Sequence, residues 1–157
     1  MFTMQVKRKT NVSVLHNIRS ALKGPKTVKV GFPAGEADQD NISKAVWNEF
    51  GTRGGASGGG WGGPVPERPF LRNAIRQNRS SYRDAMRASA AKILIGQTGI
   101  RTVLSKLGIQ AQGDIQAEIT SLQSPPNSPV TIALKNSSNP LIDSGEMRGA
   151  VTWKVNE

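Results

Sequence analysis

The sequence predicts an α+β fold: two long helices plus short helices packed on a small, mainly antiparallel sheet. Three observations predict it. Apolar residues recur at helical spacing over 66–94 and again over 100–122, they alternate at strand spacing over 26–32 and 151–155, and glycine or proline marks most of the junctions. With 157 residues the chain is expected to form a single domain long enough to bury a core.

Taken in order, residues 11–23 place Val12, Leu15, Ile18 and Leu22 on one helical face, and Gly24-Pro25 stop the run. Residues 26–32 alternate, with Val28, Val30 and Phe32 on one side and Lys29 on the other, before Gly31 and Pro33 close the strand. Asp40 is expected to cap a second helix whose apolar positions are Ile42, Ala45, Val46 and Phe50, with Gly51 as its stop. Residues 51–65 are expected to form a flexible loop, because eight of the thirteen residues 51–63 are glycine and ordering them costs much backbone entropy. The N-terminal residues 1–10 are also expected to be flexible. Trp61 is the one side chain in the glycine-rich loop able to bury much area. Two readings of that loop stay open, a plain flexible connection and an arm that orders on a neighbouring subunit with Trp61 as anchor. A nucleotide-binding loop would end in Gly-Lys-Ser or Gly-Lys-Thr, whereas this run ends in Gly-Gly-Pro.

Residues 66–94 form the longest helical pattern, with Pro69 in the first turn. Along it Arg68, Arg72, Arg76, Arg79, Arg83 and Arg87 follow at steps of four or three residues. At about 100° per residue all six fall on a stripe about 100° wide. Phe70, Leu71, Ala74, Ile75, Tyr82, Ala85, Met86 and Ile93 occupy mostly the remaining side. After Gly96 and Gly99 the pattern resumes at Ile100, Val103, Leu104, Leu107, Ala111, Ile115, Ile119 and Leu122, with Gly108 and Gly113 predicting a bend or break. Pro125-Pro126 end it, Ser128 and Pro129 start a short helix through Lys135, and residues 136–140 form a polar turn. In the last block Asp143 and Glu146 have the spacing of a capping box, and Val151, Trp153 and Val155 alternate with Thr152 and Lys154 as a half-buried strand.

Lysine and arginine outnumber aspartate and glutamate by 21 to 11, giving a net charge of +10 that favours polyanions or acidic protein surfaces. No apolar run approaches a membrane span and no apolar segment follows the charged start, so the chain is expected to stay soluble in the cytoplasm where it is made. Without cysteine, disulfides and thiolate metal sites are excluded. The sole histidine, His16, reads as a helix-surface residue, and Glu36, Asp38 and Asp40 read as a solvated loop ahead of the next helix. No serine lies in a nucleophile elbow. The sequence therefore predicts a non-enzymatic protein with no catalytic residues, cofactor or metal.

The terminal block, P-L-I-D-S-G-E-M-R-G-A-V-T at 140–152, resembles a signature near the C-terminus of a family of tailed-bacteriophage tail-component proteins that includes the Mu-type virion morphogenesis proteins. Blocks 45–52 (A-V-W-N-E-F-G-T), 66–72 (P-E-R-P-F-L-R), 113–116 and 128–135 resemble the same family in the same order, so the likeness covers roughly residues 42–155. The resemblance implies a structural virion protein, a neck or tail-completion component joining head and tail. It would form a homo-oligomeric ring around the DNA channel and contact neighbouring neck, connector or tail proteins. It would reside in the virion after assembly in the host cytoplasm. Asp143, Gly145, Glu146 and Trp153 are expected to serve folding. The alternative is a non-specific basic DNA-binding protein. For the arginine row three readings stay open: a solvated face, a contact with carboxylates of a neighbouring subunit or ring, and a contact with DNA phosphates.

Overall fold

The computed structural model describes residues 11–33, 35–53 and 64–156. The elements run α1(Val12–Lys23), β1(Thr27–Gly31), α2(Gln39–Phe50), α3(Phe70–Leu94), α4(Ile100–Ser121), α5(Pro129–Lys135), α6(Glu146–Gly149) and β2(Thr152–Asn156). The N-terminal segment 1–10, Trp61 and most of the glycine-rich stretch lie outside the described residues. The architecture is α+β as expected, with two long helices and a small antiparallel sheet of two strands.

β1 and β2 pair so that Val28 faces Val155 and Val30 faces Trp153. Side chains alternate across a strand, so these four share one sheet face, and α4 packs against both strands. On the opposite face Lys29 stands across from Lys154, and Lys154 donates to Glu36 at 2.9 Å, which relieves the like-charge pair. The long helices run antiparallel and are pinned along their length. Asn73 donates to Glu118 at 3.0 Å, Gln110 to Ser81 at 2.9 Å and the Tyr82 hydroxyl to Asp114 at 2.6 Å. Burial first, and then the bond to Asp114, pushes the Tyr82 phenol well above its ordinary range.

Phe70, Ile115, Ile119 and Val151 are almost wholly buried, and Ala74, Leu141 and Met147 complete the centre of the core. Phe32 meets Phe70 edge to face at 6.3 Å between centroids. The terminal block thus contributes Leu141, Met147 and Val151 to the core before it becomes a strand.

Four local expectations are corrected. The second helix is capped by Asp38, not Asp40: Asp38 Oδ1 accepts from the Asn41 N–H at 2.9 Å and Oδ2 from its side-chain amide at 2.6 Å. These bonds, led by the Asn41 N–H, hold the Asp38 carboxyl below its ordinary value. The third helix starts at Phe70 because Pro66 and Pro69 keep the preceding residues extended, each proline disfavouring the helical region for the residue before it. The Asp143–Glu146 capping box does not form. Gly145, at φ 87°, is the N-cap of α6 and Glu146 is its first residue, two positions short of the third helical position from which a capping box reaches back. Finally, α4 is continuous from Ile100 to Ser121 despite its two glycines. Gly108 lies under the Trp153 indole so closely that a Cβ there would stand 2.7 Å from Trp153 Cδ2, whereas nothing approaches within 4 Å of one at Gly113.

The two glycines should respond oppositely to alanine. Gly113→Ala is expected to stabilise by up to about 1 kcal/mol through helix propensity, and Gly108→Ala to destabilise by about 1–3 kcal/mol because the indole must shift. Urea unfolding monitored by far-UV circular dichroism checks this; a stabilised Gly108→Ala variant contradicts the close packing.

Candidate interaction surface

The base of α3 is built around a charge taken from another element. Its N-cap is Pro69, which makes no side-chain capping bond, so the first N–H groups need acceptors from elsewhere. Glu49, from the last turn of α2 and 2% exposed, supplies them. Its Oε2 accepts from the Leu71 N–H at 2.9 Å and its Oε1 from the Arg72 N–H at 3.1 Å. Negative charge is favoured there by the helix dipole. The Arg72 side chain completes the arrangement, donating Nε to Glu49 Oε1 at 2.8 Å and Nη2 to the Glu49 carbonyl at 2.6 Å and to the Glu67 carboxylate. Its guanidinium also stands 5.2 Å from the centre of the Phe50 ring. The bonds to Glu49, then to Glu67, raise the Arg72 pKa above its ordinary value.

Arg68 is 4% exposed and points inward. Its Nε donates to the Pro125 carbonyl at 2.8 Å, Nη2 to the Pro126 carbonyl and to Asn127 Oδ1 at 3.1 Å each, and Nη1 to Asn48 Oδ1 at 3.1 Å. Among the described residues no carboxylate forms an ion pair with it; oxygen dipoles solvate the cation, and burial lowers its pKa. Arg68 therefore ties α2 and the entry to α3 to the chain that follows α4.

The six-arginine row divides accordingly. Arg68 and Arg72 belong to internal anchoring, while Arg76, Arg79, Arg83 and Arg87 are exposed along the middle of α3. Of these, Arg87 lies 3.7 Å from Asp84, both largely in solvent. At about 100° per residue the four span an arc about 80° wide and about 16 Å long. They face away from the side of Ala74, Ala85 and Ser89, which is turned to α4.

Other surfaces are apolar. On α1, Val12, Leu15 and Leu22 are exposed, so the amphipathic pattern is present but most of its apolar stripe is uncovered. α2 buries Ala45 as expected, but together with Asn41 and Glu49; of the other expected positions Ile42 is half-buried and Val46 and Phe50 are exposed. The helix is turned by the need to place Glu49 at the base of α3, and it leaves Val46, Trp47 and Phe50 in solvent. Val46 and Phe50 border a cleft of about 180 Å³ whose far wall includes Val30, Phe32 and Leu71. On α5, Val130 and Leu134 sit one turn apart, 70% and 81% exposed.

Of the remaining expected residues, Trp153 packs over Gly108, Gly145 takes its left-handed turn, Asp143 is exposed and Glu146 lies 3.8 Å from Lys44. His16 is exposed on α1. Among the described residues no group of three or more His, Cys, Asp or Glu is placed to hold a metal ion, and no helix is long and apolar enough to cross a membrane. Comparison with known proteins finds no matching family model, curated protein or solved structure. The anchoring residue that sequence reasoning missed is Glu49. Its one available signal is negative: a long helix beginning after Pro69 has no capping side chain of its own.

Substitutions should separate the two kinds of arginine. Arg68→Lys and Glu49→Gln, each leaving buried partners unsatisfied, are expected to cost about 2–3 kcal/mol. Arg79→Gln and Arg83→Gln should stay within about 0.5 kcal/mol of the wild type. Equal losses for Arg79→Gln and Arg68→Lys in chemical unfolding would count against the division.

Proposed function

We propose that this chain is a non-catalytic structural protein of a tailed bacteriophage particle, a ring-forming neck or tail-completion subunit that joins head and tail around the DNA channel. The uncovered apolar faces of α1, α2 and α5 carry the proposal. Among the described residues twelve large hydrophobic side chains are exposed, as many as the twelve hydrophobic residues that form the core. Singly such residues are ordinary, but three helices that each present several of them on one side are surfaces suited to burial by partners. Because they lie on different elements, a patch on one copy can meet a different patch on the next, the heterologous contact that closes into a ring. The resemblance of the blocks within 42–155 supplies the biological setting.

The blocks that carry the resemblance also meet in space. Asn48 and Glu49 of the first hold Arg68, Leu71 and Arg72 of the second. Gln116 of the third donates to the Arg148 carbonyl of the last at 3.2 Å. Four of the five blocks, all but 128–135, contribute to one buried cluster through Ala45, Phe70, Ile115, Leu141, Met147 and Val151, which supports reading those four together.

Two experiments test the proposal. In light scattering the full chain is expected to form a closed oligomer, alone or with isolated portal or tail complexes. Val130→Asp with Leu134→Asp should abolish it while leaving thermal unfolding within about 2 °C, since neither side chain is buried. Electron microscopy of particles lacking the protein should show separate filled heads and tails. A chain that remains monomeric at high concentration and never co-sediments with particles refutes the reading.

A further inference from the structure

We infer that the exposed part of the arginine row, Arg76, Arg79, Arg83 and Arg87 on α3, is a sequence-independent contact for the phosphate backbone of duplex DNA. The four cations stand on one side of a single helix pinned to α4 at Asn73, Ser81 and Tyr82, so their spacing is held by the backbone. The row covers about 16 Å, the axial length of about five base pairs at about 3.4 Å each.

Charge accounting removes the nearest alternative, a second copy of the chain. Its net charge is +10, and its carboxylates are mostly engaged. Glu49 and Glu67 hold Arg72, Glu36 holds Lys154, Glu146 lies beside Lys44, and Asp114 and Glu118 accept from Tyr82 and Asn73. Of the acidic run Glu36, Asp38 and Asp40, Glu36 is held by Lys154 and Asp38 caps α2, so that run is a poor match for four guanidinium groups on a neighbour. The partner must therefore bring its own negative charge.

One observation favours phosphate over an acidic protein. Protein interfaces centre on apolar or aromatic anchors with charges at the rim, and here the surfaces of that kind lie on α1, α2 and α5, while α3 offers only Ile75 and Leu94, 42% and 38% exposed, at the two ends of the row. The row is all arginine, whose planar fork suits bidentate contact with phosphate as it does with carboxylate. Base reading is not provided for. Gln77 and Asn78 fall about 100° and about 200° from Arg76 around the helix, and the Asn78 amide donates to the Ala74 carbonyl. Contact with phosphates alone would be indifferent to sequence.

The inference does not require ring assembly and is tested on the full chain by fluorescence anisotropy with two labelled duplexes of unrelated sequence. Both should bind with similar Kd. Neutralising four phosphates should weaken binding at least about 150-fold between 50 and 200 mM salt. The quadruple variant Arg76→Gln, Arg79→Gln, Arg83→Gln and Arg87→Gln should lose most of this binding, its salt slope falling by about 3–4, with unchanged circular dichroism. A control removing equal charge elsewhere, Arg19→Gln, Lys23→Gln, Lys26→Gln and Lys29→Gln, should keep most of it. Equal weakening in both variants would show only diffuse attraction by net charge and overturn the inference, as would absence of binding at 50 mM salt. Displacement by polyglutamate at a lower charge concentration than by unlabelled duplex would assign the row to an acidic protein and overturn it too. Light scattering on the same samples keeps this outcome separate from the fate of the assembly proposal.

Discussion

The buried carboxylate of Glu49 is the constraint on which much of the arrangement depends. Taking a carboxylate out of water costs several kcal/mol, and here two backbone N–H groups and the Arg72 guanidinium offset that cost. Each partner needs the other, since α3 has no cap of its own and Glu49 has no other role in the core. The bond caps the start that Pro66 and Pro69 set for α3 and fixes how α2 is turned against it, and hence which residues of both helices reach the surface. Arg68 extends the same knot to the carbonyls of Pro125 and Pro126, so that the segment after α4 is located by a cation entering from before α3.

α4 is the second organiser. It lies between α3 and the sheet, and its inward positions Val103, Leu104, Ala111, Ile115 and Ile119 supply much of the buried apolar surface. Gly108 has the meaning of a missing side chain. It lets the Trp153 indole rest against the helix backbone, and the sheet edge carried by β2 follows. With so much of the core drawn from one helix and two short strands, α1, α2 and α5 act as outer layers whose apolar residues are covered only on one side.

What was legible in the sequence is what is decided locally. Ser128 and Pro129 announce α5, and Ser128 does accept from the Thr131 N–H at 3.2 Å. Alternation through Val28, Val30, Trp153 and Val155 gives the buried face of the sheet, and periodicity gives α3 and α4. What depends on distant partners was not legible. Asp38 and Asp40 have equal chemistry for a cap, and only the observed geometry selects Asp38. Six arginines in one stripe look alike from composition, yet the first two are drawn inward by groups 20 to 59 residues away in sequence. The buried face of α2 includes the expected Ala45 but is rotated away from Val46 and Phe50, because a buried glutamate breaks the rule that apolar residues face the core.

The separation of apolar and ionic surfaces bears on how such a subunit would work. Like charges one turn apart on a helix are mutually destabilising by a few tenths of a kcal/mol per pair, and among the described residues only Asp84 lies close to any of the four exposed arginines. The fold thus tolerates a small cost that a polyanion would remove. In a ring closed by the apolar faces, identical rows on every copy would repel one another. Anything that binds the closed ring and neutralises the rows stabilises that state over the separated subunits by mass action. Subunit contacts made by apolar surface and a cargo contact made by charge can then be tuned apart, because salt weakens the second far more than the first. Strong, sequence-selective contact would hinder DNA from moving through a channel, whereas a short row of exposed arginines gives attraction that is indifferent to register.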